Sequence, residues 1–297
     1  MTQFLQLLAG GVSLGAVYAL LALGFVVVFK ASDVVNFGHP ALLMIGAYTI
    51  ARLGLSQVAF PLAVLGGVLL AALTGLVVQR FLVAPIASTS VVTVSIMTIG
   101  VDILAQTEIT RRIGVDILSI ADPWGDRVVR LGAVDVPQAR VAGLVSSVVL
   151  IGLFLAWFKL SRWGVAMRAV ADDAPTAALM GVPRKVISAL AWTLAGGLAA
   201  VAGVFITAFP TPGLQPATAS VALAAFPAAI IGGLDSIGGA IVGGLVVGLA
   251  ESLAEGYEER LSFLGQGFHS VMPYAVMVLV LLVRPTGLFG TRELHRV

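Results

Sequence analysis

Leu5-Gln-Leu-Leu-Ala-Gly-Gly-Val-Ser-Leu-Gly-Ala-Val-Tyr-Ala-Leu-Leu-Ala-Leu-Gly-Phe-Val-Val-Val-Phe29 carries no charged residue from end to end. About 20 mainly apolar residues, at about 1.5 Å each, cross about 30 Å of hydrocarbon, so this run is long enough to span a membrane. A secretion signal has a basic flank, an apolar stretch of about 7–15 residues and a small-residue cleavage site. Met1-Thr-Gln-Phe offers no basic flank and the run is too long. The sequence therefore predicts a retained membrane span here.

The composition extends that reading to the whole chain. Of 297 residues, 59% are hydrophobic and 11% charged, against about 45–50% and about 25% in ordinary soluble domains. A soluble protein of this size cannot hide so much apolar surface, and the mean hydropathy of +1.05 fits lipid as the solvent. A net charge of +2, with no basic tract, argues against nucleic acid as a partner. There is no cysteine, which removes disulfides, thiolate nucleophiles and cysteine metal sites.

The same length criterion marks spans near 5–29, 38–53, 58–83, 91–108, 141–158, 187–209, 217–234, 237–256 and 268–284. The expected fold is all-α: one polytopic membrane domain over 1–297 with eight or nine membrane segments, some short or broken. Two polar loops interrupt it, at 108–140 and 159–186, and the span between them puts them on opposite sides. Each holds five basic residues, so neither is cytoplasmic by count. The tail residues Arg284, Arg292 and Arg296 fall on the side of 159–186 and tip the balance. That places 159–186 in the cytoplasm and 108–140 in the periplasm.

Thirty-four glycines cluster inside the spans. Small residues four apart let helices approach closely in lipid, which is the common reason for such glycines. A sharper reading makes Gly232, Gly233, Gly238 and Gly239 a break between half-helices beside a transport path. Asn36 suits a helix cap near Phe37 or a place on that path, where His39 would join it. Asp102 falls in mid-span as a path residue, a counter-ion or a packed polar group, whereas Glu251 and Glu255 are expected at the outer interface.

The most informative loop is Arg168-Ala-Val-Ala-Asp-Asp-Ala-Pro-Thr-Ala-Ala-Leu-Met-Gly-Val-Pro-Arg-Lys185. Asp173 can cap a helix start and Pro175 fits its first turn. Gly181 suits the left-handed residue that ends it, and Pro183 blocks continuation. About seven residues remain, roughly 10 Å of helix, with Ala174, Ala177, Ala178, Leu179 and Met180 as an apolar surface. Such a helix either folds back on its own bundle or inserts into a groove on a soluble partner. Trp163, Met167 and Val170 share a face just before it, which suits a segment lying along the membrane surface.

This loop resembles the cytoplasmic coupling motif of ABC importer permeases, in Asp172-Asp173-Ala174, Ala177, Leu179 and Gly181-Val182. Further segments resemble the permeases of the branched-chain amino acid uptake family, in order: Gly15-Ala-Val-Tyr-Ala-Leu-Leu-Ala-Leu-Gly-Phe25, Val35-Asn-Phe-Gly-His39, Met44-Ile-Gly-Ala-Tyr48, Gly232-Gly-Leu-Asp-Ser-Ile-Gly-Gly239 and Leu282-Val-Arg-Pro-Thr-Gly-Leu-Phe-Gly290. The departures are Gly38 and Pro40 around the histidine, Asp33-Val34 before the asparagine, and two aspartates where the family's loop begins with glutamate. They bear on the solute, since relatives are similar to carriers of urea, amides and other amino acids.

The resemblance implies a multi-pass protein of the bacterial inner membrane. It also implies a second related permease, cytoplasmic ATPase subunits, and a periplasmic or lipid-anchored binding protein. Asp172, Asp173, Ala174, Ala177, Ala178, Leu179 and Gly181 would couple to the ATPase. ATP would be used by that partner and no cofactor is expected on this chain, which has no Gly-x-x-x-x-Gly-Lys-Ser/Thr loop to cradle phosphate. The rival expectation is an ion-coupled secondary transporter or channel for small polar solutes.

Overall fold

The structure is a computed structural model describing residues 2–86, 90–131, 134–209, 212–260 and 267–290. Helix α1 covers Thr2–Ser32 and α2 His39–Leu55. Helix α3 (Phe60–Val77) continues through a π-helical turn at Val78–Val83 into α4 (Ala84–Ile86), and α5 is Val91–Ile113. An antiparallel hairpin follows, β1 (Val128–Leu131) with β2 (Val134–Pro137), Val128 facing Pro137. The remainder is α6 (Gln138–Leu160), α7 (Arg162–Asp172), α8 (Ala174–Leu179), α9 (Arg184–Ile206), α10 (Thr218–Leu223), α11 (Ala225–Gly232), α12 (Ile237–Gly256) and α13 (Met272–Val283).

Six helices among the described residues are long and apolar enough to cross a membrane: Gln3–Ser32, Phe60–Ile86, Val91–Ile113, Gln138–Leu160, Arg184–Ile206 and Ile237–Gly256. The segments expected at 38–53, 217–234 and 268–284 are helical but shorter. Helix α5 outruns its expected end at 108, because Glu108 pairs with Arg111 and Arg112 at 2.8 and 2.6 Å, one turn on. The β1–β2 hairpin departs from an all-α reading. Its β-branched Val128, Val129, Val134 and Val136 suit a small two-stranded ribbon.

Two prolines explain the interruptions. Pro227 brings no N–H to the carbonyl four residues earlier, that of Leu223, and its ring crowds it. The chain accordingly breaks between α10 and α11 at Ala224. Pro85 does the same to Phe81, and there the ladder slips: Ala84 donates to the carbonyl of Gln79, five residues back, giving the π turn.

Helix α1 is the centre of the bundle. Of its most apolar window 89% is buried, against 17% for α5. Helix α12 packs antiparallel along it, with Gly244 on Ala19 and Gly248 on Gly11 and Gly15. The Ser252 hydroxyl closes the seam by donating to the Leu7 carbonyl at 2.9 Å. Only small residues permit that approach.

The ends of the bundle follow from cross-links. Ser13 donates to the Arg140 carbonyl at 2.6 Å, so the starts of α1 and α6 share one end. The loop before the hairpin lies there too, Leu118 pairing with Leu214 and Ile120 lying against Gly54. At the other end, Lys30 donates to the Asp235 carbonyl at 2.7 Å. The N–H groups of Leu288 and Phe289 reach the Ile231 and Gly232 carbonyls at 2.8 and 3.1 Å. Helices α7 and α8 follow the far end of α6 and so belong to this second end, as does Arg284. Arg292 and Arg296 lie outside the described residues.

Candidate functional site: translocation path and coupling surface

Helix α2 starts inside the bundle. His39 lies against Gly24 of α1, where an added Cβ would stand 2.5 Å from the imidazole Cε1, and its ring lies 4.5 Å from that of Phe25. The chain before it is held by α5: the Phe37 N–H donates to Thr98 Oγ1 at 3.0 Å. Asn36 is buried, and its Oδ1 accepts from the Gly38 N–H at 3.0 Å. It therefore forms a turn before the helix, and Gly38, not Asn36, is the residue at the cap.

Asp102 caps α2 from another helix. Its Oδ1 accepts the Ala41 N–H at 3.0 Å and its Oδ2 accepts from Gln106 at 2.5 Å. Half-buried, Asp102 is thus hydrogen-bonded through both carboxyl oxygens. Asn36 Nδ2 and both ring nitrogens of His39 are buried without a full hydrogen bond, the Leu21 carbonyl being the polar group that faces the imidazole. Phe226 of α11 closes over this place, 5.2 Å from the Phe37 ring and 5.5 Å from that of Phe25. The broken α10–α11 segment and the start of α2 thus meet beside the unpaired nitrogens of Asn36 and His39.

The four glycines are not gathered at that place. Gly233, at φ +100°, ends α11, and Ser236 caps α12 by accepting the Gly239 N–H at 3.0 Å. The residues between them make the reversing turn of a helical hairpin at the bundle's second end. Gly232 and Gly239 press backbone to backbone, whereas Gly238 faces open space. A second discontinuity in this region sits at Ala224, where Pro227 puts it.

Helix α8 forms as its sequence dictates. Asp173 accepts the Thr176 N–H at 3.0 Å and its hydroxyl at 2.5 Å. These bonds hold the exposed carboxyl below its ordinary value. Gly181 ends the helix at φ +85°, and Val182 N–H returns to the Ala177 carbonyl at 3.0 Å. Its apolar residues do not form one face: Ala177 is buried and Ala174 half-buried, whereas Ala178, Leu179 and Met180 point away, Leu179 88% and Met180 81% exposed. Helix α7 braces it, with Met167 and Val170 turned into the bundle and Trp163 left outside. Arg168 donates to the Phe158 and Lys159 carbonyls, closing the end of α6.

A family model described as branched-chain amino acid transport system / permease component matches residues 7–281. The chain belongs to that family. It is 31% identical to the high-affinity branched-chain amino acid transport system permease protein LivH of Salmonella typhimurium, over 99% of this chain and 98% of that one. It is 30% identical to the corresponding protein BraD of Pseudomonas aeruginosa, with the same coverage. Among solved structures, PsaBC from Streptococcus pneumoniae in complex with Fab covers 96% of this chain and 93% of its own, with TM-score 0.50 at 13% identity. That last likeness concerns the fold alone.

The permease buries one carboxyl that sequence reasoning put at the interface. Glu251 is 8% exposed and its Oε2 accepts the Tyr18 hydroxyl at 2.8 Å. Glu255, one turn on, is exposed as expected. Asp102 and Glu251 thus have separate hydrogen-bond partners, and among the described residues no hydrogen bond links one carboxyl to the other. Among the described residues, no three His, Asp or Glu side chains converge as a metal site.

Proposed function

We propose that this chain is one permease subunit of an ATP-driven importer for branched-chain amino acids or their close chemical relatives, as the names of its relatives suggest. A second, related permease would complete the passage. Cytoplasmic ATPase subunits would drive it, and a periplasmic or lipid-anchored binding protein would load it. The second end of the bundle, with α7, α8 and residues 284–290, is cytoplasmic, and residues 114–137 are periplasmic. With α2, α10–α11 and α13 counted as crossings, the chain crosses the inner membrane nine times and begins outside.

One observation carries this reading: a short, capped, outward-facing helix that leaves Leu179 and Met180 almost wholly exposed. Two large apolar side chains in water call for a groove to receive them. A partner that grips them moves α8, and α7 and α9 pass the displacement to the bundle as a two-state shift. The passage runs past Asn36 and His39, where unpaired polar atoms and the α10–α11 break lie together. An ion-coupled carrier would need a relay of carboxyls in the bundle, and Asp102 and Glu251 are each locally engaged.

The absence of native cysteine makes the test direct. Leu179→Cys should cross-link to a co-purified ATPase subunit and be shielded from thiol reagents by it. Labelling of that cysteine by a membrane-impermeant reagent added outside intact cells would overturn the assignment. Gly181→Val provides a functional arm. Open space surrounds Gly181, so no clash results, but a side chain in the left-handed region costs about 1–2 kcal/mol. Uptake should fall at unchanged expression and insertion; normal uptake would contradict the coupling role.

A further inference from the structure

A cavity of about 540 Å³ opens at the second end of the bundle, between the end of α1, the π turn and α4, the start of α5 and the start of α9. Two of its lining residues are buried and polar, Gln79 at 2% and Ser188 at 8% exposed. Neither is among the fully enclosed polar groups left without a partner, and no hydrogen bond ties either side chain to another described residue, so their polar atoms stay open to the cavity they line. Arg184 and Lys185 stand at the rim, exposed and in no ion pair with any described residue. The rest of the wall is apolar, Val83 and Val94 being representative. A volume of this size matches small-ligand pockets, and an amide and a hydroxyl that open into it are ready donors and acceptors for a ligand.

We propose that this cavity binds the phosphate headgroup of an anionic phospholipid. Two cations with no ion pair among the described residues and two neutral polar groups suit a phosphodiester, the cations for its charge and the Gln79 amide and Ser188 hydroxyl for its oxygens. The walls choose the source of the phosphate. The cavity lies beside α5, with 17% of its window buried, and the α3–α4 span, with 28%, the two least covered of the long helices together with α6. Phe81 and Val92 stand exposed beside it. A lipid can enter from that side and lay its first methylenes on the apolar wall, which a free phosphate ion cannot use. Basic pockets between membrane helices on the cytoplasmic side are sites of this kind. The lipid would brace the first turn of α9, immediately after α8, and so fix the element that carries motion from the coupling helix. The site does not depend on the solute transported; its assignment to the cytoplasmic leaflet rests on the orientation proposed above.

The test is lipid retention by the full chain, purified with its companion subunits and examined by native mass spectrometry. Short-chain phosphatidylglycerol, phosphatidylcholine and inorganic phosphate serve as probes. Phosphatidylglycerol should bind in preference to phosphatidylcholine. The double variant R184Q/K185Q should bind it about twenty-fivefold more weakly, each cation contributing roughly fivefold. Ser188→Leu fills the cavity without changing charge and should also weaken it, while Arg130→Gln, at the other end of the bundle, should not. Equal retention by wild type and R184Q/K185Q, both eluting as one folded species, would overturn the site. Protection by inorganic phosphate with no preference between the two lipids would overturn the lipid source. Uptake is read separately, so failure of the importer assignment leaves these results interpretable.

Discussion

Gly238 and Gly239 are neighbours in sequence, and the structure separates them. A Cβ on Gly239 would stand 2.7 Å from the carbonyl carbon of Gly232 and closer still to its oxygen. Ordinary contact begins at 3.4 Å, so α11 and α12 must part by at least 0.7 Å (3.4 − 2.7). A gap of about 0.5–1 Å forfeits a quarter to a half of the dispersion energy of the atoms that face it, and the obstacle is backbone, which cannot rotate away. Gly239→Ala should therefore cost about 1–3 kcal/mol, the usual penalty for overpacking. Gly238 meets nothing within 4 Å and lies in a helix, so Gly238→Ala should be neutral or stabilising by about 0.4–1 kcal/mol. Thermal unfolding of the two variants in one detergent, followed by size-exclusion fluorescence, reads the difference. Equal midpoints would refute the packing argument. Loss of uptake by a fully stable Gly238→Ala protein would return that glycine to the solute path.

Asp102→Ala removes the acceptor that caps α2 and should destabilise the protein by about 0.5–2 kcal/mol, whereas Asp102→Asn keeps an acceptor and should restore both the midpoint and uptake. A folded Asp102→Asn protein without uptake would show that the charge itself is used, as in an ion-coupled carrier. The cap of α8 has a definite pH dependence. The Asp173 carboxyl titrates below the ordinary 3.8 because the Thr176 hydroxyl and N–H bond its charged form. Its contribution is complete above 3.8 and is lost as pH falls through the lower folded-state value. Amide exchange at 176–180, corrected for intrinsic rates, should be flat from neutrality to pH 5; loss of protection in that range would refute the cap.

What the sequence disclosed, and what it withheld, divides by the range of the interaction. The limits of α8 were legible because Asp173, Pro175 and Gly181 act on backbone within four residues of themselves. The long spans were legible because hydrocarbon thickness fixes a length. The partner of Asp102 was not, since the N–H it caps belongs to Ala41, 61 residues earlier. The Tyr18–Glu251 bond spans 233 residues and was equally out of reach. Other features carried signals that sequence reasoning missed: Pro227 and Pro85 mark the Ala224 break and the π turn, and the β-branched Val128, Val129, Val134 and Val136 mark the hairpin. The sorting of four similar glycines into turn, close contact and open space depends on which helix lies opposite, which no local pattern records.

The bond from Ser252 to Leu7 joins positions 245 residues apart. Ribosomes add about 5–20 residues per second, so α1 enters the bilayer roughly 12–50 s before the helix that completes its glycine seam. For that interval the most enclosed helix of the finished protein lacks the partner of its glycine seam, with Tyr18 still without its eventual acceptor, Glu251. Assembly of this bundle is thus a matter of waiting: the first segment made is among the last to find its place. A chain arrested before residue 237 would leave α1 without its longest seam, and quality control should recognise it by that exposed strip.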